Sequence, residues 1–84
     1  MSEIKQPTAG RIVQFFHNGE EAYNLASNNR AEFVPALVTQ AFEDVHNANM
    51  TIFPVGLPPI FGWSIPHLSS KAEGRAYWAY PEIK

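Results

Sequence analysis

Apolar residues in this chain come in short clusters divided by Gly, Pro, Asn and Ser, a pattern that predicts short strands joined by turns. The first cluster is Arg11-Ile12-Val13-Gln14-Phe15-Phe16-His17. Its β-branched and aromatic content favours a strand. Alternation sets Arg11, Val13, Phe15 and His17 on one face against Ile12, Gln14 and Phe16 on the other. Asn18-Gly19 closes it, since both residues accept positive φ at little cost. Residues 20–32 read either as a long loop or as a short helix over about 20–28, where Ala22, Leu25 and Ala26 share helical spacing. Residues 33–42 form the main apolar run. A helix beginning at Pro35 is one reading of residues 35–45. The lack of a capping residue before Pro35, and the β-forming Val34, Val38 and Thr39, favour a strand.

Residues 43–49 read as a polar, hairpin-type connection, and Met50-Thr51-Ile52-Phe53 as a short strand closed by Pro54. Residues 55–62 read as a loop broken by Gly and Pro. Its Leu57, Ile60 and Phe61 need cover, from the barrel itself or from another subunit, and these three are the expected interface residues. Trp63-Ser64-Ile65-Pro66-His67 reads as a strand that Pro66 confines to an edge or a bulge. Residues 69–74 read as a turn, and 75–80 as the last strand. Five short strands in so little chain suggest an all-β protein, a small closed or half-closed β-barrel. Residues 1–9 are the expected flexible tail and 10–84 the single barrel domain.

Composition narrows this picture. A chain of 84 residues makes one domain, and one this small is marginal in stability. It has no Cys, which removes disulfide staples and thiol chemistry and fits a reducing compartment. Self-association is therefore an expected source of added stability. The net charge of −2, with 17% charged residues, opposes a nonspecific nucleic-acid binder and a polybasic membrane anchor. No apolar run is long enough for a transmembrane helix, and the polar first residues do not read as a signal peptide. The expectation is a soluble protein retained in the cell that makes it.

Several motifs come in a familiar order: Gly10-Arg11-Ile12-Val13, Asn18-Gly19-Glu20, Pro35-Ala36-Leu37-Val38-Thr39, Asn49-Met50-Thr51-Ile52-Phe53, Ser64-Ile65-Pro66-His67 and Tyr77-Trp78-Ala79-Tyr80-Pro81-Glu82. In this the chain resembles small tailed-phage and prophage proteins that begin with a Gly-Arg-x-Val strand and end in a Trp-x-Trp-Pro-like strand. The resemblance covers residues 10 to 82. It implies an SH3-like barrel and a phage origin, hence the cytoplasm of an infected bacterial host, more than it implies an activity. The chain departs from the pattern at residues 22–32, which look like an insertion, and at Tyr80, where a second Trp is more usual.

Candidate chemistry is sparse. His17, His46 and His67 are widely separated, and a metal site would need them to converge with Asp44 or Glu82. Ordinary loop histidines are the favoured reading. Ser64 and His67 do not share a strand face, and no nucleophile elbow appears. Glu20-Glu21 and Glu43-Asp44 read as solvated turn acids. No enzyme activity, cofactor or metal is expected. Aromatic stacking is the stronger theme: Trp63, Trp78 and Tyr80 can serve as platforms for a planar base, with Arg11, Arg75 and His67 meeting phosphate. The competing reading puts Trp63 and Trp78 in the core. Three functions follow. One is a non-enzymatic, oligomeric sponge that sequesters a nucleotide-like host immune signal. The second is a virion or assembly component docking onto another phage protein. The third is an SH3-like peptide-binding adaptor.

Overall fold

Five antiparallel strands form one curled sheet, lying side by side in the order fourth, third, second, first, fifth along the chain. The computed structural model describes residues 8–42, 46–70 and 73–81. The strands are β1 (Ile12–Phe16), β2 (Val34–Ala41), β3 (Ala48–Ile52), β4 (Ile60–Ile65) and β5 (Tyr77–Ala79). Two 3-10 segments, Glu21–Arg30 and Leu68–Ser70, lie between β1 and β2 and between β4 and β5. The all-β class expected from the sequence is what the chain adopts, its sheet curling into a half-barrel consistent with the expected small SH3-like barrel, and the helical reading near 20–28 corresponds to the first 3-10 segment. Most of the expected tail, residues 1–7, lies outside the described residues, as do 43–45. Thr8 and Gly10 are already tied down: Arg11 N donates to Thr8 O at 3.1 Å and Gly10 N to Val38 O at 2.7 Å.

Alternation decides which side chains enter the core. Val13 and Phe15 of β1, Val34, Ala36 and Val38 of β2, and Met50 and Ile52 of β3 are buried. The positions between them face outward, as a period of two requires. Residues 34–41 are a strand and not a helix, because only that period buries Val34, Ala36 and Val38 together. Pro35 is tolerated near the start of β2, where its carbonyl still accepts from Phe53 N at 3.0 Å.

Irregularities curl the sheet. The register slips between Val38 and Gln40 on β2, and again between Ala48 and Met50 on β3, and such bulges bend strands and raise local twist. The curl brings the end of β4 against β5, where Trp78 N donates to Pro66 O at 2.9 Å and His67 makes a parallel bridge to Trp78. Pro66 thus ends an edge strand, as its missing N–H predicts, while its carbonyl helps close the barrel.

Several strand limits differ from the sequence reading, and β3 begins at Ala48, inside the expected 43–49 connection. The apolar loop ends earlier, because Ile60, Phe61 and Gly62 pair with β3. Gly62 faces inward, and a Cβ there would stand 2.9 Å from Ile52 Cδ1 and 3.0 Å from Ile65 Cγ1. This glycine serves close strand–core approach and not a turn. The last strand is shorter than expected, since Arg75 and Ala76 precede the ladder.

Candidate functional site

The six residues expected to line a ligand site separate into two groups. Arg11, His67, Trp78 and Tyr80 form a continuous chain at one end of the barrel. The Arg11 guanidinium lies 5.1 Å from the Tyr80 ring centroid. Tyr80 meets Trp78 edge-on at 5.0 Å, and Trp78 meets His67 edge-on at 4.7 Å. The His67 and His46 rings are 6.2 Å apart. Trp78 itself is 0% exposed, and its indole Nε1–H donates to His46 O at 2.8 Å. Its role as an open stacking platform is therefore corrected: Trp78 is the largest side chain of the core, with its one polar atom satisfied. Tyr80 does share its face, as alternation predicts, but packs against the core beside it.

His17 stands apart, its Nδ1 accepting from Gly19 N at 3.0 Å. Asp44 and Glu82, the suggested fourth metal ligands, lie outside the described residues, among which no three His or acidic groups converge. His67 Nδ1 accepts from Ser69 N at 3.0 Å. Burial, and secondarily the neighbouring His46, push its pKa below 6.5. As pH falls, the unfolded chain takes up this proton before the folded one does. The contribution to stability is thus constant above pH 6.5 and declines below it, through the folded-state value. Urea midpoints should fall between pH 7.5 and 5.5, and His67→Asn should flatten that limb.

Trp63 and Arg75 form the second group. They line a shallow cleft of about 380 Å³ together with Asn47, Ser64, Pro66 and Ser70. Trp63 is 69% exposed, on the outward face of β4. Its backbone N–H donates to the Tyr23 hydroxyl at 3.3 Å, and Tyr23 in turn packs edge-on against Phe15. A kink follows at Ser64, whose φ is +52°. Side chains stand in there for missing ladder partners. Ser64 N donates to Asn49 Oδ1 at 2.7 Å, and Asn47 Nδ2 donates to Ser64 O at 3.2 Å and to Ser64 Oγ at 3.1 Å. A non-Gly residue in the left-handed region persists only where its surroundings hold it, and these amides supply that hold. Trp63 faces outward next to the inward Gly62, and the kink that follows returns Ile65 to the core.

Arg75 is held from the other side. Glu20 Oε1 accepts from Arg75 Nε at 3.2 Å and from Ala76 N at 2.6 Å, and Asn18 Nδ2 donates to Arg75 O at 3.0 Å. The Arg75 side chain is nonetheless 66% exposed. Among the described residues no acceptor engages its terminal nitrogens. An ion pair this exposed adds little stability; what it supplies is a positioned guanidinium. Sequence reasoning missed Glu20 as a functional partner and missed Asn47, Ser64 and Ser70 as lining groups.

The expected interface residues also divide. Phe61 is 64% exposed beside Trp63, with ring centroids 6.4 Å apart. Leu57 is half-buried. Ile60 is partly buried and packs against the core, so part of its cover comes from the barrel itself. A broader hollow of about 610 Å³ is bounded by Asn24, Leu25 and residues 27–30. It is a crease within one 3-10 segment and offers no ring for stacking. No family model matches this chain, and the curated proteins and solved structures yield no match.

Proposed function

We propose that this chain is a non-enzymatic binding module whose ligand is a planar anion of nucleotide type, held in the cleft between Trp63 and Arg75. The observation that carries the reading is the pairing, across one cleft, of an exposed indole with a guanidinium fixed through its Nε. A ring platform receives the face of a base. The terminal guanidinium nitrogens present donors to a phosphate in fork geometry. Asn47, Ser64 and Ser70 add amide and hydroxyl groups that recognise ring edges or a ribose. Holding a ligand demands no bond-making step. Ser64 Oγ is engaged by an amide and His67 Nδ1 by a backbone N–H, a disposition suited to support more than to proton transfer. In the setting that the phage resemblance implies, such a module sequesters a nucleotide-like signal in the cytoplasm of an infected host.

A thermal-shift panel of cyclic and ADP-ribose-type nucleotides at millimolar concentration tests the reading. A ligand that binds only the folded state stabilises it by mass action. One nucleotide class should raise the midpoint by several degrees, and Arg75→Gln should abolish that rise. A midpoint unmoved by every nucleotide would defeat the proposal.

A further inference from the structure

Among the described residues, the outward face of the sheet carries no charge. Along every strand the positions that point away from the core are apolar, aromatic, amide or hydroxyl residues, without one Lys, Arg, Asp or Glu. The surface of a small soluble domain is normally about a quarter to a third charged. The chain's described charges instead sit at strand ends and in connections, as with Glu20, Arg30, Glu32 and Arg75. Register lines the face up into a row across four strands: Ile12 opposite Leu37, Leu37 opposite Thr51, and Thr51 opposite Phe61. Both ends of the row are open, Ile12 at 51% and Phe61 at 64% exposure.

We infer that a second copy of this chain covers the row, as a two-fold dimer centred near Thr51. The charge pattern selects that occupant. A two-fold contact sets a patch against itself, so any charge near the axis meets its like. A face with no charge escapes this repulsion, while hydroxyl and amide groups, being donors and acceptors at once, pair with their own copies. A basic or acidic partner would find nothing here to recognise. Size sets the strength. Phe61 and its neighbour Trp63 offer about 300 Å² of exposed ring surface between them, and the flanking row brings the contact to the low end of the interface range, roughly 600 Å² a side. The dimer is therefore concentration-dependent, with micromolar dissociation. The interface shares Trp63 with the nucleotide cleft, but its test reads association without nucleotide at Thr51, outside that cleft, so either reading can fail alone.

Sedimentation equilibrium from about 5 to 500 µM tests it. The wild-type chain should pass from one-chain to two-chain mass across that range. Thr51→Arg and Thr51→Glu, each outward on a strand and each checked for an unchanged thermal midpoint at low concentration, should each raise the dissociation constant at least tenfold. Mixed in equal amounts, the two variants should regain dimer, because opposite charges then meet at the axis. A wild-type chain that stays monomeric throughout would overturn the inference. So would association that either Thr51 variant leaves unchanged, or a mixture that stays monomeric.

Discussion

Trp78→Ala should lower stability by about 3–5 kcal/mol, the cost of emptying a fully buried aromatic site. A domain of this size has about 4–12 kcal/mol in total, so the variant should melt at least 15 °C lower or lose its cooperative transition. The reasons are local. Trp78 is sealed from solvent, touches Tyr80 and His67 edge-on, and sits where the end of β4 closes onto β5. Its indole also satisfies the carbonyl of His46. Trp78→Phe should recover most of the packing but not that hydrogen bond, leaving a deficit of about 1–2 kcal/mol. Urea titrations of the three proteins measure both steps. A Trp78→Ala chain as stable as wild type would remove this indole from the core.

Trp63→Ala should do the reverse. The ring is exposed, so its loss should move stability by no more than about 0.5 kcal/mol. Nucleotide affinity should fall about 10- to 100-fold, because stacking of one base on one ring contributes about 1–3 kcal/mol. Arg75→Ala should cost a comparable factor, with its loss concentrated on ligands that carry phosphate. Calorimetric titration of each variant with the nucleotide that stabilises wild type reads these losses. An affinity unchanged by Trp63→Ala would place the ligand elsewhere.

The two tryptophans look alike in the sequence and end in opposite environments. Alternation correctly groups Trp78 with Tyr80 but does not say which face turns inward, since Tyr77 is as aromatic as its neighbour. The answer comes from pairing with β1, which sets Trp78 opposite the buried Phe15 and leaves Tyr77 stacked on Phe16, with centroids 4.8 Å apart. For Trp63 the obstacle is that β4 does not keep one alternation to its end: Trp63 faces outward next to the inward Gly62, and the kink at Ser64 then brings Ile65 inward. A positive φ at a serine has no signal in local composition, and the Asn47 and Asn49 side chains that stabilise it arrive from a neighbouring strand. Gly62 misled in another way. Shortly after Pro58-Pro59 it reads as loop, yet it lies in β4, paired with Met50 and facing inward close to the Ile52 and Ile65 side chains.

The strands themselves were legible because each carries its own alternation or β-branched content. Val13 and Phe15, or Val34, Ala36 and Val38, identify their inward faces without help from the rest of the fold. The cleft was only half legible. Its ring and its cation stand out by residue type. What positions the cation is Glu20, 55 residues away in sequence, and no local pattern announces a contact of that range. Read locally, Glu20 is a solvated acid after a turn.

Binding in the cleft between Trp63 and Arg75 can be tested directly through the two indoles. The chain has just two Trp, so its ¹H–¹⁵N spectrum carries two indole resonances, one from an exposed ring and one from a ring hydrogen-bonded in the core. On titration with the stabilising nucleotide, the Trp63 indole and Arg75 Nε resonances should move together along one saturating curve while the Trp78 indole stays in place. Resonances of Trp63 and Arg75 that hold still while others shift would contradict the account.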